Sequence, residues 1–340
     1  MARADTANRD QANRGHTEHG GLAAHWRNWF LAALLIAGVA FAAFHWGDVK
    51  RFIELIRKAE PWWLLAALML QLLTYASLSG EWALVLRAGG SPRSIWRLFL
   101  ITITKLFADQ VIPTAGMSGN VFLVDRLVAI GAPRENAVAA VILAIVAYYA
   151  SYAVAAFAAL FLLWLHSDLS WLIVGTVGLF LCVAAAIPAT ALWLRKKGQR
   201  AMPRWLRRSE TAEDFFELVG KAPGKLIRNR RLIAELTVLN GVVFVLDALT
   251  LQWCLFSLGT VAHLGGVFAA FMMASIVMTL GPIPLGLGSF EATCIAMLRV
   301  VGVPFEAALS GTLLFRGFTL WLPLVGGMVL MRREMKHSSD

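Results

Sequence analysis

The hydrophobic residues of this chain are gathered into long runs, which short polar stretches separate. A helix needs about 20 consecutive apolar residues to cross the hydrocarbon core of a bilayer. Six runs fall in that range, and we predict that each forms a membrane-spanning helix. They occupy residues 28–44, 61–86, 137–165, 169–194, 232–258 and 307–331. This pattern predicts an all-α, polytopic membrane protein.

Two pairs of shorter apolar arms lie between these runs, and a Pro/Gly-rich motif separates the members of each pair. The first motif, IPTAGMS, begins at Ile112, and the second, IPLGLGS, begins at Ile283. A shift of 171 residues (284 − 113) matches eight of the 26 positions from 112 to 137 with identical residues. Random matching would give about two. We interpret the match as an internal repeat.

Composition and charge agree with this class of protein. The chain is 59% hydrophobic and 15% charged, with a net charge of +10. The basic residues lie mainly in loops beside apolar runs, which indicates a role in topology and attraction of anionic lipid rather than nucleic-acid binding. The loop 195–231 alone carries twelve Lys and Arg residues. The positive-inside rule therefore places this loop and the C-terminus in the cytoplasm.

Counting spans from that loop gives the two pairs of arms an orientation. The basic stretch 87–97 is also expected in the cytoplasm, so residues 98–131 must enter and leave the membrane on that side. By the same count, residues 262–305 enter and leave from the outside. We therefore predict two inverted repeats, each with a re-entrant hairpin that carries its motif at the tip.

These features predict one transmembrane domain at residues 26–340, preceded by a disordered polar tail at 1–25. Its halves cover about 61–194 and 232–331, on either side of the basic loop. We expect a multi-pass membrane protein whose loop 195–231 and C-terminus face the cytoplasm. Homo-oligomer formation and association with lipid-synthesis enzymes are left open.

Helix breaks at the hairpin tips would direct backbone N–H groups at an anion. We predict that the tips frame a cavity for an anionic lipid headgroup, with phosphate as the candidate group. The alternative is that the Pro and Gly residues only kink ordinary spans. The predicted tip residues are Pro113, Gly116, Gly119 and Asn120 in the first half, and Pro284, Gly286 and Gly288 in the second.

Ionisable residues at membrane depth are costly, which makes each one a functional candidate. The candidates are Lys105, Asp109, Asp247, Glu291, Arg299 and Arg316. We predict that the three cations attract the headgroup, while the acids hold them in place or bind protons. The alternative is a set of internal salt bridges that fix the bundle. Glu291 and Arg316 flank the second motif most directly.

No catalytic or metal-binding motif accompanies these residues. The chain lacks a phosphate-binding Gly-rich loop and the hydrolase and metalloprotease signatures. Its three cysteines lie apart inside apolar runs, which is typical of free thiols. We therefore expect no enzymatic activity, no metal and no cofactor.

Three stretches carry a resemblance to a known family: Pro-x-x-Gly-x-x-Gly at 113–119 leading to Gly131, PLGLGSFE at 284–291, and LLFRGFTLWLPLVGG at 313–327. Over about residues 60–331 the chain resembles the lysylphosphatidylglycerol synthase transmembrane, or flippase-like, family. Glu291 and Arg316 stand where the family pattern has its Glu and Arg. The first half departs, with Ser118-Gly119-Asn120 and Leu123 in place of Gly-Gly-Asp and Arg.

The resemblance implies an integral, multi-pass protein of the bacterial inner (cytoplasmic) membrane that moves or handles lipids. Relatives fused to an aminoacyl-transferase domain make and flip lysyl-phosphatidylglycerol; we expect that transferase activity to be absent here. Stand-alone relatives are associated with hopanoids and polyprenyl-linked sugars. The predicted function is translocation of an amphipathic lipid. A secondary transporter of a small polar solute and a non-transporting scaffold for a lipid-modifying enzyme remain as alternatives.

Overall fold

The computed structural model describes residues 57, 59–111, 117–166, 171–197, 223–281 and 286–337. Several sequence predictions lie outside these residues: the tail 1–25, the span 28–44, most of the basic loop and the tip residues Pro113, Gly116 and Pro284.

Every regular element in the described residues is a helix, which confirms the predicted all-α class. In chain order the helices are α1 (Pro61–Ala88), α2 (Ile95–Val111), α3 (Met117–Ala129), α4 (Arg134–His166), α5 (Trp171–Lys197), α6 (Gly224–Ile227), α7 (Arg230–Ser257), α8 (Leu264–Leu280), α9 (Ser289–Val300), α10 (Phe305–Arg316) and α11 (Leu322–His337). A five-residue π-helical segment, Gly317–Trp321, joins α10 to α11.

Five of these helical stretches are long and apolar enough to cross a membrane. They are Pro61–Ala88, Arg134–Leu165, Trp171–Ala189, Arg230–Ser257 and Phe305–Leu330. Five of the six predicted spans are therefore present, and the sixth, 28–44, lies outside the described residues. The last span is not one uniform α-helix, because the π segment interrupts it.

The helix ends follow from local sequence. Pro61 occupies the first turn of α1, where its missing N–H has no cost. The Asn229 side chain accepts a hydrogen bond from the N–H of Leu232 at the start of α7. Gly131 and Gly302 follow α3 and α9 with φ values of 86° and 89°, which glycine adopts readily.

The helix boundaries recur along the chain. Adding 171 to the bounds of α1, 61 and 88, gives 232 and 259, and α7 covers 230–257. The same shift moves α3 from 117–129 to 288–300, and α9 covers 289–300. Most pairs of packed helices have a counterpart in the other half: α2 with α3 and α8 with α9, α3 with α4 and α9 with α10, α1 with α2 and α7 with α8. The orientation of each half relative to a membrane stays a prediction.

The two halves meet along α1 and α7, which pack against each other over much of their length. Two clusters of buried apolar side chains each include residues of both helices. One also contains Phe271, Phe290 and Phe315 on α8, α9 and α10, and the other contains Leu98 and Leu127 on α2 and α3.

Candidate functional site

The two charged residues that flank the second motif meet in the structure. Arg316 ends α10, and its Nε donates a hydrogen bond of 2.6 Å to Oε1 of Glu291 in the first turn of α9. The residues just before them also meet, because the rings of Phe290 and Phe315 stack with centroids 5.8 Å apart. This buried stack fixes α9 and α10 in the register that joins the two charges.

The Glu291 carboxylate is held through both oxygens. Its Oε2 accepts a hydrogen bond of 2.7 Å from the backbone N–H of Gly288. Gly288 precedes α9 with a φ of 86°, a conformation that most other residues adopt only with strain. An acid in the first turn also interacts favourably with the helix dipole. Glu291 therefore ties the start of α9 to Arg316 and acts as a positioning residue.

Arg316 is buried between this carboxylate and an aromatic ring. Its guanidinium carbon lies 5.1 Å from the centre of the Phe290 ring, close enough for a cation–π interaction. The side chains of Arg316 and Glu291 are only 10% and 17% exposed. Removing one partner of a buried ion pair leaves the other charge uncompensated, so each residue depends on the other.

The π-helical segment begins immediately after Arg316. The Tyr75 hydroxyl on α1 donates a hydrogen bond of 2.7 Å to the backbone carbonyl of Phe318 inside this segment. π-Helical turns are rare and occur frequently at functional sites. The contact links the α1–α7 interface to the helix that carries Arg316.

A second ion pair lies on α2, in the first half. Lys105 Nζ and Asp109 Oδ2 are 2.8 Å apart, one helical turn from each other, as residues four apart on a helix can be. A Cβ atom at Gly119 on α3 would overlap the Asp109 carboxylate, so only glycine allows this close approach. Among the described residues, the buried Oδ1 of Asp109 has no hydrogen-bond partner.

The other predicted residues are distributed elsewhere. Asn120 is half-buried in the first turn of α3, at the position equivalent to Glu291. Gly286 is buried, with a φ of 61°. Arg299 is exposed in the last turn of α9, and eight residues separate it from Glu291, about 12 Å along the axis. The structure does not bring Arg299 to the Glu291–Arg316 pair.

Asp247 lies in the middle of α7, on the face turned toward α1. Its Oδ1 accepts a hydrogen bond of 3.3 Å from the Thr74 hydroxyl, and the Gln71 side chain also interacts with the carboxylate. Asp247 is half-buried, whereas Gln71 and Thr74 are each 2% exposed. Among the described residues no Lys, Arg or His forms an ion pair with Asp247.

Sequence reasoning missed the polar residues of α1 that surround Asp247. Thr74 and Tyr75 come three and four residues after Gln71, which places both on the same face of the helix as Gln71. Uncharged polar groups at this spacing inside an apolar run were a signal that a polar contact lies there.

Comparison with known proteins gives the family. The model of the lysylphosphatidylglycerol synthase TM region matches residues 29–327. A UPF0104 membrane protein of Pyrococcus horikoshii is 22% identical over 331 residues, which cover 90% of this chain and 98% of the relative. A UPF0104 membrane protein of Methanocaldococcus jannaschii is 21% identical over 84% of this chain and 90% of its own length. Because the family model covers most of the sequence, this membrane protein belongs to the family of the lysylphosphatidylglycerol synthase TM region.

Proposed function

We propose that this protein moves an amphipathic lipid between the leaflets of the cytoplasmic membrane. The observation that carries the proposal is the Glu291–Arg316 ion pair, which is buried between helices of otherwise apolar character. Charged residues at membrane depth commonly mark the path of a substrate. The description of the family names a protein that makes a phospholipid, which agrees with a role linked to membrane lipids.

An anionic headgroup would compete with Glu291 for Arg316. The guanidinium group binds carboxylate and phosphate oxygens with the same planar geometry, so one anion can replace the other. The backbone N–H groups at the start of α9 face the same region, because Gly288 already donates to Glu291. Return of Glu291 to Arg316 would release the headgroup and close the cycle.

Two ion pairs, one at each predicted hairpin, would provide a path rather than a single site. Lys105 and Asp109 lie on α2 of the first hairpin, and Arg316 on α10 pairs with Glu291 on α9 of the second. The equivalent helix boundaries of the two halves support hairpins that enter the membrane from opposite faces. In this proposal the headgroup passes between the hairpins while the acyl tails stay in the bilayer.

The proposed topology places loop 195–231 and the C-terminus in the cytoplasm. A variant with Ser209→Cys, in which the native cysteines are replaced by serine, tests this topology. We expect a membrane-impermeant maleimide to label the new cysteine only after the cells are opened. Labelling in intact cells would show that the loop faces the outside.

Reconstitution tests the proposed function. Purified protein in vesicles that contain a fluorescent phosphatidylglycerol should make the inner-leaflet probe accessible to dithionite. Arg316→Ala should slow this movement by about tenfold or more, since a charge-assisted hydrogen bond contributes about 1.5–3 kcal/mol. Arg299→Ala removes the same charge from the exposed end of α9 and should move lipid at the wild-type rate.

The outcomes separate the alternatives. Wild-type movement by folded Arg316→Ala would mean that Arg316 has no role in translocation. Folded wild-type protein that moves neither phosphatidylglycerol nor a zwitterionic lipid would contradict lipid translocation. Uptake of a polar solute would then indicate a secondary transporter, and co-purification with a lipid-modifying enzyme would indicate a scaffold. We propose no catalytic activity for the chain itself.

A further inference from the structure

The interface between α1 and α7 contains an acid at an unusual place. Asp247 lies 17 residues after the start of α7 (247 − 230) and 10 before its end (257 − 247), near the centre of an apolar span. Its carboxylate accepts a hydrogen bond from Thr74 and interacts with Gln71. These partners are uncharged, and the described cations Lys105 and Arg316 are paired with other acids. An ionised Asp247 would therefore be compensated by neutral groups only.

A buried oxygen of Gln71 is the second observation at this interface. Its amide faces Asp247, yet its buried Oε1 lacks a hydrogen-bond partner among the described residues. Against an ionised carboxylate, Gln71 can only donate through its NH2 group, which leaves its carbonyl oxygen without a donor. A protonated Asp247 has an O–H group, and the Gln71 amide can accept it after a rotation that exchanges its O and N atoms. One proton thus removes a buried charge and gives the Gln71 carbonyl oxygen a donor.

The titratable groups near Asp247 do not fix its charge. Tyr75 on α1 and Tyr148 on α4 are close enough to interact electrostatically with the carboxylate. Helix α8, which packs against α7, contains no ionisable residue. Helix α7 also packs against α6 and α10. The other ionisable groups of these three helices are Arg230, Arg231, Glu235, Cys254, Lys225, Glu306 and Arg316.

A second acid in the same interface, Glu81, is less accessible than Asp247. Glu81 on α1 is 3% exposed and accepts a hydrogen bond of 3.0 Å from the Asn240 amide on α7. Asn240 precedes Asp247 by seven residues, about 10 Å along the helix. Glu81 is enclosed, whereas Asp247 keeps accessible surface, so Asp247 is the more accessible of the two acids.

We propose that Asp247 is a proton-binding site whose occupancy is coupled to lipid movement. The coupling rests on the proposed function. Its physical route is Tyr75, which follows Thr74 on α1 and holds the π-helical segment next to Arg316. A proton from water binds a carboxylate oxygen of Asp247 and later returns to water, and no covalent bond of the lipid changes.

Infrared difference spectroscopy tests proton binding without any transport. The purified protein is titrated from low to high pH in lipid nanodiscs, and the C=O band of protonated carboxyl groups is followed. The wild-type protein should show a band that disappears on titration, and Asp247→Asn should lack it. Glu81→Gln is the matched control and should keep it. An Asp247→Asn spectrum identical to that of the wild type would overturn the proton site.

Vesicles with a pH difference test the coupling. One coupled proton can bias the lipid distribution by about tenfold for each pH unit. The wild-type protein should show such a bias, and Asp247→Asn should move lipid without one.

A bias that follows a Na⁺ gradient instead would overturn proton coupling, because the oxygens of Asp247, Gln71 and Thr74 could also bind that ion. A wild-type protein that moves no lipid would contradict the proposed function and the coupling, while the infrared result would still decide proton binding.

Discussion

The Tyr75 hydroxyl donates a hydrogen bond to the backbone carbonyl of Phe318, and this bond connects α1 in the first half to the π-helical segment of the last span. The two residues are 243 positions apart in sequence. The bond lies between the two proposed functional elements, the Asp247 cluster and the Glu291–Arg316 pair. It is therefore the direct test of whether they act together.

Tyr75→Phe should lower both stability and lipid movement. The substitution removes one buried hydrogen bond and leaves the Phe318 carbonyl without this donor, at a cost of about 1 kcal/mol. Thermal unfolding in detergent and the vesicle assay measure the two effects. Tyr149→Phe, on half-buried Tyr149 of α4, is the control. Loss of stability with unchanged lipid movement would show that the bond is only structural.

Glu291 and Arg316 should behave as one unit in a double-mutant cycle. Each single change, Glu291→Gln or Arg316→Met, removes the ion-pair partner of a buried charge and should cost about 3–5 kcal/mol. The double variant leaves no charge behind, so its loss should be clearly smaller than the sum of the two. Unfolding by denaturant in mixed micelles gives the three free-energy differences. If the two losses of stability add up, the side chains do not stabilise each other despite their 2.6 Å contact.

The sequence allowed prediction of the spans, because apolar length is a local property of the chain. Apolar length identified five spans that the structure contains. The matched residues Gly131 and Gly302 recur because each ends a short helix with a positive φ. In both cases the residue after the glycine donates its N–H to a carbonyl five positions earlier, that of Leu127 or Leu298.

The contacts between distant helices could not be predicted in the same way. Arg299 was grouped with Arg316 and Lys105 as a cation for the headgroup, and the structure places it at the exposed end of α9, away from the Glu291–Arg316 pair. The π-helical segment has no clear sequence signal, because its backbone depends on packing against α1. The partners of Asp247 come from α1, more than 170 residues earlier. Which polar residues meet is decided by the packing of α1 on α7.

Gly131→Ala and Gly302→Ala should destabilise the protein by similar amounts. An L-residue in the left-handed conformation costs about 1–2 kcal/mol, and both glycines have φ values near 90°. A Cβ at Gly302 meets no atom within 4 Å, so backbone strain alone acts there. Gly175→Ala in α5 is the control, because its Cβ also meets no atom and its helical backbone suits alanine. Equal stability of the Gly302→Ala and Gly175→Ala variants would contradict this explanation.

Gly119→Ala should separate the α2–α3 hairpin, because the added Cβ would overlap the Asp109 carboxylate. Either Asp109 leaves Lys105 or α3 moves away from α2, and both changes should lower thermal stability and slow lipid movement. The combination with Asp109→Ala tests the cause, since removing the carboxylate makes room for the Cβ. The double variant should be no less stable than Asp109→Ala alone. If Gly119→Ala destabilises both backgrounds equally, the clash with Asp109 is not the reason for the glycine.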